Sequence, residues 1–211
     1  MRQQYLFIII KKESYNIIVL KLRIIVGWWM NNQSRQALWL ALAGSIVLMI
    51  GMGYGRFAFT GVLPLMLNEG LLTLHEGNLA ASANYAGYLV GALLLARVQP
   101  GAATRLSIIS AGLTIASLAL LAWVSSPWTI ITLRAVAGAL SAITLIAGSL
   151  WLLEHMGHHH GAPLLYAGVG LGIFISAEGI ALGHALNLTS QQIWLLCALC
   201  AGLLLALAIR W

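Results

Sequence analysis

"GMGYGRFAFT" (51–60) decides how this chain is read. Arg56 sits inside an apolar run, and between Ala37 and Leu67 no other residue carries a charge. A guanidinium in such a place is either an anchor that reaches a membrane surface or a group that faces a polar cavity. An anchor normally ends a hydrophobic run. This arginine interrupts one, because "FAFTGVLPLML" (57–67) continues beyond it. Gly61 and Pro64 predict a kink just past it. Gly51 and Gly55 stand four apart, the small-xxx-small spacing at which membrane helices approach closely. "GMGYG" is not a nucleotide loop, since no strand precedes it and the βαβ context is missing.

The rest of the chain agrees with a membrane setting. Of 211 residues, 61% are hydrophobic and 8% charged, against about 25% charged in soluble domains. The net charge of +6 would suggest nucleic acid in a soluble protein. Here the basic residues fall at the ends of apolar runs and not in a clustered face, which argues against a nucleic-acid partner and for the lipid bilayer. Cys197 and Cys200 lie in the apolar run "WLLCALCAGLLLALAIRW" and read as small apolar side chains.

Six apolar segments, at 37–62, 78–96, 106–124, 129–153, 164–183 and 193–210, each approximate the ~20 residues that cross a bilayer as helix. None shows the alternation of a membrane strand. The expected fold is an all-α, polytopic bundle of six transmembrane spans within residues 30–211. Residues 1–29, rich in Ile, Lys, Asn and Tyr, have a different composition. Two readings stand for them: upstream sequence translated ahead of a natural start at Met30, or a basic amphipathic helix on the membrane surface.

Lys and Arg occur before span 1, between spans 2 and 3 (Arg97, Arg105) and after span 6 (Arg210); connections 1–2, 3–4 and 5–6 have none. The positive-inside rule places both termini in the cytoplasm. Trp39, Trp123, Trp128, Trp151, Trp194 and Trp211 fall near span ends and are expected in the interfacial belt.

Ionisable groups within spans are costly and mark function. There are three, Arg56, Arg134 and Glu178. At ~1.5 Å per residue, Arg134 and Glu178 both come to lie ~21 Å from the cytoplasmic surface, and Arg56 ~28 Å. Asn84 falls at a similar level, with Tyr85 and Tyr88 nearby. Arg56, Asn84, Tyr85, Arg134 and Glu178 are thus the candidate cavity residues. Spans 4 and 5 share a short connection and are expected as antiparallel neighbours. Arg134 and Glu178 could then form an ion pair, structural or lining a cavity; Glu178 protonated is the alternative. Gly87 with Gly91 and Gly168 with Gly172 repeat the small-xxx-small spacing.

"EHMGHHHG" (154–161) lies on the 4–5 connection. A histidine tract is not a set of ligands converging from fixed positions, so no metal or cofactor is expected. No catalytic constellation is present, so the chain is not expected to be an enzyme.

"GMGYGRFAFTGVLPLML" (51–67), "LAASANYAGYLVGALL" (79–94), "RAVAGALSA" (134–142) and "YAGVGLGIFIS" (166–176) together resemble the YbfB/YjiJ branch of the major facilitator superfamily, over about residues 37–211. "RAVAGALSA" also looks like the superfamily's fourth-helix motif, with Gly138 four residues after Arg134. The resemblance implies a secondary transporter of a small-molecule substrate working by alternating access, with proton coupling as one mode. The 2–3 connection departs from the superfamily's loop motif: Gly91, Arg97 and Arg105 are present and the acid is absent. Such transporters have twelve spans in two halves, and this chain looks like the N-terminal half. The expectation is a truncated gene; two copies assembling, or another chain supplying the second half, are the alternatives. A non-transporting six-span scaffold or accessory subunit is the competing function, and the expected location is a bacterial inner membrane.

Overall fold

A computed structural model describes residues 32–210; the readings for residues 1–29 lie outside the described residues. The chain divides into a unit up to Trp39, of which the start of the first helix is described, and a unit from Leu40 onward that holds the bundle.

The first span is three segments in one continuous helical run. They are α1 (Asn32–Leu48), a π-helical segment (Met49–Phe57) and α2 (Ala58–Asn68). Next come α3 (Leu74–Leu94), α4 (Ala103–Leu121), α5 (Pro127–Ser149) with a second π segment (Leu150–His155), α6 (Ala162–Ala185) and α7 (Ser190–Ile209). Every described regular element is helical, so the chain is an all-α membrane bundle. In such a bundle each backbone group is satisfied within its own segment. Among the described residues, five runs are long and apolar enough to cross a bilayer: Arg35–Asn68, Pro100–Leu121, Pro127–His155, His159–Ala185 and Ser190–Ile209. The 21-residue α3 is long enough but more polar, carrying His75, Glu76, Asn78, Ser82 and Asn84. It packs along α5.

Local sequence sets the helix ends. Thr73 caps α3 and exchanges hydrogen bonds with Glu76, while Thr189 does the same for α7 with Gln192. Both are capping boxes, which satisfy N–H groups that the first turn leaves without partners. Pro127 opens α5 and Pro163 lies in the first turn of α6, where the missing N–H costs nothing. Glu69, just past α2, accepts from the Ser190 backbone N–H at 2.8 Å and from its hydroxyl. The end of the first span is thereby tied to the start of the last.

Two pairs of parallel helices make the framework. On α3 and α5, a Cβ at Gly87 would strike the Ala135 carbonyl, and one at Gly91 would lie 2.5 Å from that of Ala139. From the other side, a Cβ at Gly138 would strike the Asn84 carbonyl. On the first span and α6, Gly168 meets Ser45, Gly172 meets Met49, and Gly53 in turn meets Gly172. From Gly87–Ala135 to Gly91–Ala139, and from Gly168–Ser45 to Gly172–Met49, the step is four residues on both helices, the i±4 ridge of helix packing, with backbones close enough for dispersion to replace the hydrophobic effect. Gly51 faces Thr144 of α5 and Gly55 faces Thr114 of α4. The π segment is thus the post around which α4, α5, α6 and α7 gather.

Three sequence expectations are corrected. Spans 4 and 5 are not packed as neighbours along their length. They touch near their connection, where Ser149 Oγ and Tyr166 OH are 3.0 Å apart, and the first span lies between them higher up. The departure from α geometry runs over Met49–Phe57 and takes in Arg56, while Ala58–Asn68 stays α-helical through Pro64. Finally, Trp194 is fully buried and stacks on Phe59 at 6.4 Å between centroids, so it closes the core instead of joining the interfacial belt. Trp123 and Trp128, by contrast, are 71% and 72% exposed.

Candidate functional site

Arg134 lies 2% exposed on the face of α5 that meets the first span. Its Nη1 donates to the Gly55 carbonyl and its Nη2 to the Arg56 carbonyl, each at 2.9 Å. Its Cζ stands 4.5 Å from the centre of the Phe59 ring. A buried charge needs partners. Here they are two backbone dipoles and a ring face, and Nε has no partner among the described residues. The fork of the guanidinium matches two successive carbonyls, which a point charge could not do. They lie at the end of the π segment, where the hydrogen-bond ladder departs from the α pattern and a side chain can insert.

Asn84 is 3% exposed on α3 and donates from Nδ2 to the Arg134 carbonyl at 2.9 Å. Arg134 therefore joins three spans: its side chain holds the first, and its own carbonyl is held by the second.

Arg56 is different. It is half-buried, and its Cζ lies 4.1 Å from the Tyr88 ring centre, 5.1 Å from that of Tyr85 and 5.6 Å from that of Phe57. All are within cation–π range. Among the described residues its side chain has no hydrogen bond or ion pair. Tyr85 is 62% exposed, and among the described residues neither tyrosine hydroxyl has a hydrogen-bond partner.

The expected Arg134–Glu178 ion pair does not form. Glu178 is exposed on α6, and the first span occupies the space between that helix and Arg134. Ser176, two residues earlier, faces the Gly53 carbonyl instead, at 3.5 Å. The five candidates therefore separate into a buried pair (Asn84 and Arg134), an accessible pair (Arg56 and Tyr85), and Glu178 apart.

The sequence reading did not assign roles to Phe57, Phe59 or Tyr88. Tyr85 and Tyr88 are three apart on a helix and share a face, which could have marked them as a pair. It also passed over a buried polar stripe on α4, formed by Ser107, Ser110, Thr114 and Ser117. Thr144 of α5 donates to Ser110 Oγ at 2.9 Å. The spacing of three and four residues along one face was the available signal. In the histidine segment no group of three or more His, Cys, Asp or Glu is placed to hold a metal ion among the described residues.

Searches of curated proteins and of solved structures found no match to the chain. A family model described as "Uncharacterised MFS-type transporter YbfB" matches residues 48–211. That span starts at Leu48 and takes in the whole π segment, both arginines, Asn84 and both tyrosines. The chain belongs to this family of MFS-type transporters and is a multi-pass membrane protein.

Proposed function

We propose that this bundle carries out transmembrane movement of a small molecule by alternating access, with Arg56 and Tyr85 facing the path and Asn84 and Arg134 holding the helices that frame it. The observation that carries the reading is Arg56: a half-buried cation within a span, met by three ring faces and, among the described residues, by no acceptor. A residue with only an anchoring task would end its hydrophobic run and reach the interface. The path requires a second six-span bundle opposite this one, supplied by a further part of the protein, a second copy or another chain. Glu178, exposed on α6, is the titratable group available for proton coupling. The charge bias of the connections supports cytoplasmic termini in a bacterial inner membrane. The family is one of transporters, and no catalytic role is assigned to any residue.

The test is water access at the site. In a Cys197→Ser, Cys200→Ser background, Tyr85→Cys should react with a charged, membrane-impermeant maleimide. Leu113→Cys, on the exposed apolar face of α4, should be protected by lipid. Equal protection of both would count against the cavity.

A further inference from the structure

We propose that Arg56, with the hydroxyl of Tyr85, recognises an oxyanion, and that the substrate class is a small organic acid with a planar apolar body. The inference rests on the transporter reading above and deepens it by naming what the path accepts. It begins from a comparison of the two arginines. Arg134 is answered by the Gly55 and Arg56 carbonyls and is enclosed. Arg56 has five N–H donors and no acceptor for any of them among the described residues. The rings of Tyr88, Tyr85 and Phe57 stabilise its charge through their faces. A ring face carries no lone pair, so it does not take the place of a carboxylate or carbonyl acceptor for these donors.

No carboxylate among the described residues supplies that partner, since Glu178, the one acid inside a predicted span, makes no ion pair and lies on another helix. The site thus carries the positive charge of two neighbouring arginines without a compensating acid. A ligand bearing a negative charge meets the lowest cost there, and a cation meets repulsion. A carboxylate can take two parallel N–H bonds from the fork. The hydroxyl of Tyr85, an exposed residue, has no hydrogen-bond partner among the described residues and supplies a further donor. Three aromatic rings beside the charge favour a flat apolar body over a heavily hydroxylated one. A phosphate of a lipid headgroup shares the oxyanion chemistry, so the experiment separates the two sources.

Benzoate is titrated into the purified chain in a neutral maltoside detergent, with benzylamine as the cationic isostere and phosphatidylglycerol in mixed micelles as the lipid arm. Binding is read by calorimetry and by thermal shift. Benzoate should bind saturably and benzylamine should not. Arg56→Gln should weaken benzoate about tenfold or more, and Tyr85→Phe about threefold to tenfold. Arg56→Lys, which keeps the charge and guards against misfolding of the Gln variant, should recover part of the loss. Benzoate binding that is unchanged in Arg56→Gln and Tyr85→Phe overturns the proposal, as does equal binding of benzylamine or no binding of benzoate. Arg56-dependent stabilisation by phosphatidylglycerol alone assigns the anion to a lipid and overturns the substrate class. Maleimide labelling of the Tyr85→Cys variant separates this proposal from the transporter reading beneath it. A thiol that labels from water, with no anion binding by the unsubstituted chain, removes the acid and keeps the cavity; a thiol protected from label removes the cavity itself.

Discussion

The side chain of Asn84 is bonded to the backbone of Arg134: Nδ2 donates to its carbonyl at 2.9 Å, where α3 and α5 are in backbone contact. Asn84→Ala should lower stability by about 0.5–2 kcal/mol, the range for a buried interhelical hydrogen bond. Asn84→Asp should cost more, since a carboxylate would set an acceptor against the carbonyl. Thermal unfolding in detergent distinguishes the two.

Gly87 and Gly170 make a matched pair for testing close approach. A Cβ at Gly87 would strike the Ala135 carbonyl, while one at Gly170 meets nothing within 4 Å. Gly87→Ala should therefore separate the helices and destabilise by about 1–3 kcal/mol. Gly170→Ala should be neutral or stabilising by up to about 1 kcal/mol, because alanine is the better helix former. Equal effects in unfolding measurements would contradict the packing described.

Arg134→Lys keeps the charge and loses the fork. One ammonium cannot reproduce both bonds to Gly55 and Arg56, so the variant should be destabilised even though the net charge is unchanged. In a twelve-span member of the family, alanine in place of the residue that matches Arg134 should abolish uptake and leave membrane insertion intact, as read by transport and by surface expression. Uptake at the original rate would show that the bridge is dispensable.

Glu69→Ala removes two hydrogen bonds at the first turn of α7, to the Ser190 amide and hydroxyl. The loss should be about 0.5–2 kcal/mol, as for a helix cap. Amide exchange at Ser190 should rise markedly, and exchange near Ala201 should change little.

Six helices were readable because each crossing demands about twenty apolar residues. In the weakest signal, Leu74–Leu94, Asn84 is turned into a contact with α5, while His75, Asn78 and Ser82 stay exposed. What sequence could not supply was adjacency. A short connection suggests neighbours, yet α5 and α6 are parted by the first span, and Glu178 is left on a separate face. Depth was computable for Arg134 and Glu178 from helical rise, but azimuth was not. Trp194 shows the same limit: its place near a span end was legible, and its inward direction follows from stacking on Phe59. The π segment had no sequence signature beyond the alternating Gly51, Gly53 and Gly55. The rings around Arg56 depend on α3 lying beside it, which only the folded chain determines.

The π segment also works as a surplus of chain. Each residue of an α-helix turns the next by about 100°. Removing one residue from Met49–Phe57 to restore the α ladder would rotate everything downstream by about that angle relative to α1. Ser45 and Met49 would keep their places against α6, but Arg56 would swing away from Tyr85 and Tyr88, and the Gly55 and Arg56 carbonyls would turn from the Arg134 fork. The extra residue sets the azimuth of the arginine independently of the glycine contacts below it. A single-residue deletion here should uncouple the two, leaving a helix that still packs at its start and points its charge at the wrong neighbour.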